Sequence, residues 1–125
     1  MRKIRVLVVD DHTIVRDGIC ALLALAPDIE VVGEAENGRG ALDKVRQLAP
    51  DVVLMDMAMP VMDGLEATKI IKADPATQHI PIFALTAFAM GGDRERFIQA
   101  GCDDYLSKPY NIKELLEKVK KILGG

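Results

Sequence analysis

The feature that most restricts how this chain can fold is an alternation. Five apolar runs of strand length, IRVLVV at 4–9, IEVVGEA at 29–35, DVVLMD at 51–56, IPIFALT at 80–86 and DYLSK at 104–108, are separated by stretches of helical period. The first, third and fourth are nearly continuous in Val, Ile and Leu, as parallel strands covered on both faces must be. The second carries Glu30, Gly33 and Glu34, and the fifth is short and polar, so both are expected at sheet edges, blunted against pairing with another chain. Strict β-α alternation implies a parallel sheet with right-handed crossovers and helices on both faces, an α/β doubly wound (βα)5 sandwich.

The intervening segments read as helices. Val15, Ile19, Leu22 and Leu23 share one face of a first helix that Pro27 ends, and Ala41, Leu42, Val45 and Leu48 mark a second that stops before Pro50. Asp63 is the expected N-cap of the third, which runs through Ile70 and Ile71 and ends before Pro75. The fourth, around 91–100, is weakened by Gly91 and Gly92, which are either plain loop residues or part of a segment built to move. The fifth carries the clear stripe Ile112, Leu115, Leu116, Val119, Ile122 and Leu123. With 125 residues, no repeat and no low-complexity linker, residues 1–125 are expected to form a single domain that needs no disulfide or zinc staple.

In a doubly wound sheet, ligands bind outside the carboxyl ends of the strands, where strand order reverses. The residues at those ends are therefore informative. Asp10 and Asp11 follow the first strand, Asp56 ends the third, Thr86 ends the fourth and Lys108 the fifth. Three carboxylates, a hydroxyl and an ammonium at one edge fit a divalent cation with a phosphoryl group. Mg2+ takes hard oxygen ligands and leaves positions for water and phosphate oxygens. It would also relieve the repulsion within the acidic group. Thr86 can donate to a phosphoryl oxygen and Lys108 can bring a positive charge to it. A carboxylate can itself accept a phosphoryl group, and Asp56, alone at the end of a central strand, is the best placed to do so. Taken singly, each residue has a plainer role: Asp11 or Thr86 as a helix cap, Lys108 as a solvated strand-end lysine.

VVDDH at 8–12, MDMAMPVMDG at 55–64, ALTA at 84–87 and SKP at 107–109 together resemble the signature set of the response-regulator receiver domain of two-component signalling. The resemblance covers essentially the whole chain. It implies a flavodoxin-like, five-stranded parallel sheet of order 2-1-3-4-5. It further implies that Asp56 is phosphorylated by a partner histidine kinase or histidine phosphotransfer protein. Asp11, Asp56 and the backbone carbonyl of Ala58 would hold Mg2+, with Mn2+ as a substitute and Asp10 acting through a bound water. Thr86 and Lys108 would grip the phosphoryl group, Tyr105 would be the aromatic switch, and the bond before Pro109 would be cis. The face of helix 4, strand 5 and helix 5 would then control a partner protein or output domain. The protein would be a phosphoacceptor, not an enzyme, and a monomer or a weak phosphorylation-dependent dimer. Ala58 and Phe88 stand where the family often carries polar groups that orient the hydrolytic water, so slow self-dephosphorylation is expected.

Other classes fit less well. A haloacid-dehalogenase-type phosphatase needs a second Asp two residues after its nucleophile, where this chain has Ala58. A flavodoxin-like electron carrier would meet carboxylates where FMN phosphate needs a Ser/Thr/Gly loop. A third alternative keeps the family and changes the context. Residues 1–50 resemble receivers that precede helix-turn-helix DNA-binding domains, and 51–123 resemble stand-alone receivers or those fused to hybrid kinases, so an excised receiver module is possible. The net charge of −3 with scattered Lys and Arg argues against a nucleic-acid or membrane surface. Met1-Arg2-Lys3 leads straight into the first strand and no apolar run approaches membrane-spanning length, which suggests a cytoplasmic protein. Cys20 and Cys102 are expected as buried or half-buried small hydrophobes, His12 as a solvent-facing residue of the first helical turn, and His79 as a surface residue. Met55 and Met57 are expected in the core, Met59 and Met62 beside the site where a kinase docks.

Overall fold

The computed structural model describes residues 3–57, 62–86, 93–107 and 112–122. Its elements alternate without exception: β1 Ile4–Val9, α1 Thr13–Leu23, β2 Ile29–Ala35, α2 Gly38–Leu48, β3 Val52–Asp56, α3 Gly64–Ala73, β4 Ile82–Thr86, α4 Asp93–Ala100, β5 Asp104–Ser107 and α5 Ile112–Ile122. The strands form one five-stranded sheet of order β2-β1-β3-β4-β5, every pair parallel. The two strands with charged or short sequences are the edges, as their composition requires.

Alternation along each strand sorts the core into two layers. Val6 and Val8 point to one face with Leu54, Phe83 and Leu85, where Ile19 and Leu23 of α1 and Leu115 and Val119 of α5 cover them. Leu7 and Val9 point to the other with Val53, Met55, Ile82 and Ala84, beneath Ala41 and Val45 of α2, Ala67 and Ile71 of α3 and Phe97 of α4. The inner strands are thus apolar on both faces because both faces are covered. Met55 and Met57 lie in the second layer as expected, and Met62 packs against it.

Several details depart from the sequence reading. β4 starts at Ile82 because Pro81 has no N–H to donate; its carbonyl instead accepts from Val53 N at 3.0 Å. β2 pairs with β1 through a register shift, Val6 facing Val31 and Leu7 facing Gly33. That slip is the mark of a bulge on an edge strand. Of the stripe predicted for α1, only Ile19 and Leu23 are buried, while Val15 and Leu22 are exposed together with Ile14 and Leu25. α1 rests on the sheet by a narrower face than its periodicity suggested. Asp11 does not cap it: the N-cap is His12, whose side chain makes no capping bond.

Asp63 caps α3 as expected, and α2 is capped by Asn37, which the sequence reading did not single out. Asn37 Oδ1 accepts from Gly40 N at 2.8 Å to start α2, and Asp63 Oδ1 accepts from Glu66 N at 2.8 Å to start α3. α2 ends on Ala49 in the left-handed region (φ 45°), since Pro50 disfavours a helical residue before it. Arg5 Nη1 takes the Ala49 carbonyl at 2.9 Å.

A candidate phosphoacceptor and metal centre

β1 and β3 are neighbours in register, Val9 beside Met55, so Asp10 and Asp56 leave the same edge of the sheet side by side. One ligand atom each from Asp10, Asp11, His12 and Asp56 lie within 4.8 Å of one another. Asp10 is fully buried and Asp56 is 5% exposed, at the end of a strand with no exposed residue. Charged carboxylates in such surroundings cost several kcal/mol each unless something compensates them.

Local hydrogen bonds fix the β1–α1 turn. Asp10 N donates to Ala35 O of β2 at 3.1 Å, and Asp10 Oδ1 accepts from His12 N at 2.9 Å. The Asp10 carbonyl accepts from Arg16 Nη1 at 2.8 Å, while Arg16 Nε donates to Glu34 Oε1 at 3.0 Å. Asp11 Oδ1 is buried and accepts no hydrogen bond from the described residues. Its neighbour is His12 Nδ1 at 3.1 Å, which also lies 3.4 Å from Asp10 Oδ1. Three carboxylates converging within 4.8 Å at a buried strand edge offer the hard oxygen ligands a divalent cation takes, so the residues fit Mg2+.

Behind β3, Gly64 opens α3 against the end of that strand. A Cβ there would strike the Asp56 carbonyl oxygen and sit 2.7 Å from Met57 Cε. Met57 N donates to Leu85 O at 3.1 Å, which ties the residue after Asp56 to β4. The register pairs Asp56 with Leu85 and Thr86 with Ser107, placing Thr86 at the same carboxyl edge. Tyr105, on β5, packs partly buried against the second core layer, and Lys118 Nζ of α5 stands 6.0 Å from its ring centroid.

The structure therefore gathers Asp10, Asp11 and Asp56, sets Thr86 on their edge and keeps Tyr105 farther along the sheet. Ala58, Met59, Phe88, Gly91, Gly92, Lys108 and Pro109 lie outside the described residues. His12 is 67% exposed, as expected of a solvent-facing residue, yet its ring edge adjoins both acids. Sequence reasoning missed Arg16 and Gly64. The spacing from His12 to Arg16, one helical turn, was the available signal for the first. The glycine closing MDG was the signal for the second.

The profile of the response regulator receiver domain matches residues 6–120. The chain belongs to the receiver-domain family. The polar-differentiation response regulator DivK of Brucella anthropi is 49% identical over 88 residues, spanning 70% of this chain and 72% of that protein. The response regulator domain of Thermotoga maritima CheB superposes with a TM-score of 0.89 at 31% identity, covering 99% of this chain and 98% of the other. The receiver domain of the sensor histidine kinase PA1611 from Pseudomonas aeruginosa PAO1 has a TM-score of 0.89 at 35% identity, covering 98% and 99%. That receiver was crystallised with a magnesium ion coordinated in its active-site cleft. This receiver is accordingly a phosphoryl-accepting signalling module, and no helix among its described residues is long and apolar enough to cross a membrane.

Proposed function

We propose that this receiver accepts a phosphoryl group on Asp56 from the phosphohistidine of a partner kinase or phosphotransfer protein, in the cytoplasm, with Mg2+ bound by the cluster. The observation that carries the reading is the convergence of Asp10, Asp11 and Asp56 at the end of the central strands. An Asp56 carboxylate oxygen attacks phosphorus, the P–N bond breaks, and the imidazole nitrogen leaves with the electron pair. Bound Mg2+ supplies positive charge to the phosphoryl oxygens. Asp11 and Asp56, with the Ala58 carbonyl, are assigned as ligands, and Asp10, fully buried and fixed by the His12 N–H, as the supporting acid.

Thr86 and Lys108 are assigned to hold the transferred group. Tyr105 is the aromatic reporter that turns inward as Thr86 is drawn toward the phosphate, altering the face of α4, β5 and α5 for a protein partner or output domain. The chain is a substrate and switch of its partners, not a turnover catalyst. With apolar Ala58 and Phe88 in the water-orienting positions, the phosphoprotein is long-lived, and a half-life of seconds contradicts that assignment. The metal requirement is tested by incubating the protein with acetyl phosphate and measuring intact mass. One phosphoryl group is expected with Mg2+ present and none in EDTA; equal labelling in EDTA contradicts the proposal.

A further inference from the structure

Arg16 is the one described cation whose side chain bonds the turn carrying the acidic pair. Its side chain, 15% exposed, reaches back from the first turn of α1, with Nε on Glu34 Oε1 at 3.0 Å and Nη1 on the Asp10 carbonyl at 2.8 Å. The Asp10 carbonyl and the Asp11 N–H belong to one planar peptide unit. Holding that carbonyl sets the plane from which the Asp11 side chain departs. The other side of Asp10 is already fixed, because its N–H is bonded to Ala35 O at 3.1 Å across the sheet. Glu34 lies in β2, so Arg16 ties the β1–α1 turn to the edge strand, and a planar fork makes both bonds where an ammonium cannot.

We propose that Arg16 is a positioning residue for the metal cluster, orienting Asp11 through the Asp10–Asp11 peptide, an assignment that rests on the cluster's reading as a Mg2+ site. It acts on the ligands through the backbone and does not touch the ion.

The sign of the effect separates this role from that of a nearby charge. Removing a cation beside an acidic site strengthens Mg2+ binding by Coulomb's law. Removing a positioning group weakens it, with losses of about tenfold or more for outer-shell partners of metal ligands.

The test uses the full chain and its Arg16→Met, Arg16→Lys and Glu34→Gln variants, each titrated with Mg2+ and followed by amide NMR. Both Arg16 variants are expected to bind Mg2+ about tenfold more weakly. Both should also shift the Asp11 amide resonance in EDTA, before any metal is added. Glu34→Gln keeps an acceptor for Nε and is expected to change affinity less than either. Mg2+ affinity equal to or above wild type in Arg16→Met overturns the proposal, as does a lowered melting temperature with affinity and Asp11 shift unchanged. Should Arg16→Met fail to fold, Arg16→Lys decides, since it keeps the charge and the aliphatic stem. Wild type that binds no Mg2+ overturns the reading of the site itself. Wild type that binds, beside Arg16 variants that bind equally, overturns only the positioning role.

Discussion

Asp56 depends on a residue eight positions later for its setting. Gly64 brings the first turn of α3 against the Asp56 carbonyl so closely that a methyl group there would meet the oxygen. Gly64→Ala should therefore cost about 1–3 kcal/mol, as overpacking does. It should also slow phosphorylation, because relief must come from moving the end of β3 or α3. Thermal melts and acetyl phosphate labelling check this, and wild-type values for both contradict it. The cysteines give a second prediction at this scale. Burial pushes the thiols of Cys20 and Cys102 up to about 11, and Glu34 adds to the effect at Cys20. A raised thiol pKa leaves the neutral form dominant in the folded protein up to that pH. Alkylation of the native chain should thus be slow at neutral pH and climb as the pH approaches 11, whereas the unfolded chain should level off near the ordinary value of 9.0. Equal pH profiles for folded and unfolded protein contradict it. Asp10, Asp11 and Asp56 were legible in the sequence because acids at strand ends are conspicuous. Arg16 was not, because it bonds a backbone carbonyl, and its one-turn spacing from His12 does not reveal that partner.

Among the elements, α3 shows how a local signal becomes a fixed boundary. Asp63 Oδ1 caps the helix through Glu66 N, buried Thr68 Oγ1 donates to Gly64 O at 2.7 Å, and Ile71 anchors the far end in the core. Asp63→Ala should destabilise the protein by about 1 kcal/mol, with the loss read in denaturant unfolding. No change in midpoint contradicts the capping role. Strand identity, the edge positions of β2 and β5, and the ends of α2 and α3 were readable from apolar runs, glutamates and prolines. The burial of α1 was not. Val15 and Leu22 have the right period but flank the contact, which Ile19 and Leu23 make with Cys20 partly buried beside them. Periodicity names a stripe, whereas the width of the stripe depends on how close the neighbouring helix stands.

For the molecule as a whole, the sheet holds two separately packed layers and leaves its chemistry to one edge. The N-terminal edge is closed by structural bonds: Lys72 Nζ reaches Ile80 O at 2.8 Å and Asp103 Oδ2 at 2.9 Å, and the same oxygen accepts from Ile82 N at 2.8 Å. The carboxyl edge instead gathers the acids Asp10, Asp11 and Asp56. A cation binding there only in the folded state would stabilise the fold by about 2.7 kcal/mol at a hundredfold excess over its dissociation constant. The order 2-1-3-4-5 came from family resemblance and the chemistry from strand ends, and the two meet where β1 and β3 lie adjacent. The proposed switch depends first on Asp56 being the acceptor. Reduction of the acetyl phosphate-treated protein with borohydride, followed by peptide mass mapping, converts an acyl phosphate into a stable homoserine at the modified position. Homoserine is expected at position 56 alone, and none in Asp56→Asn. Homoserine at another aspartate, or undiminished phosphorylation of Asp56→Asn, would contradict it.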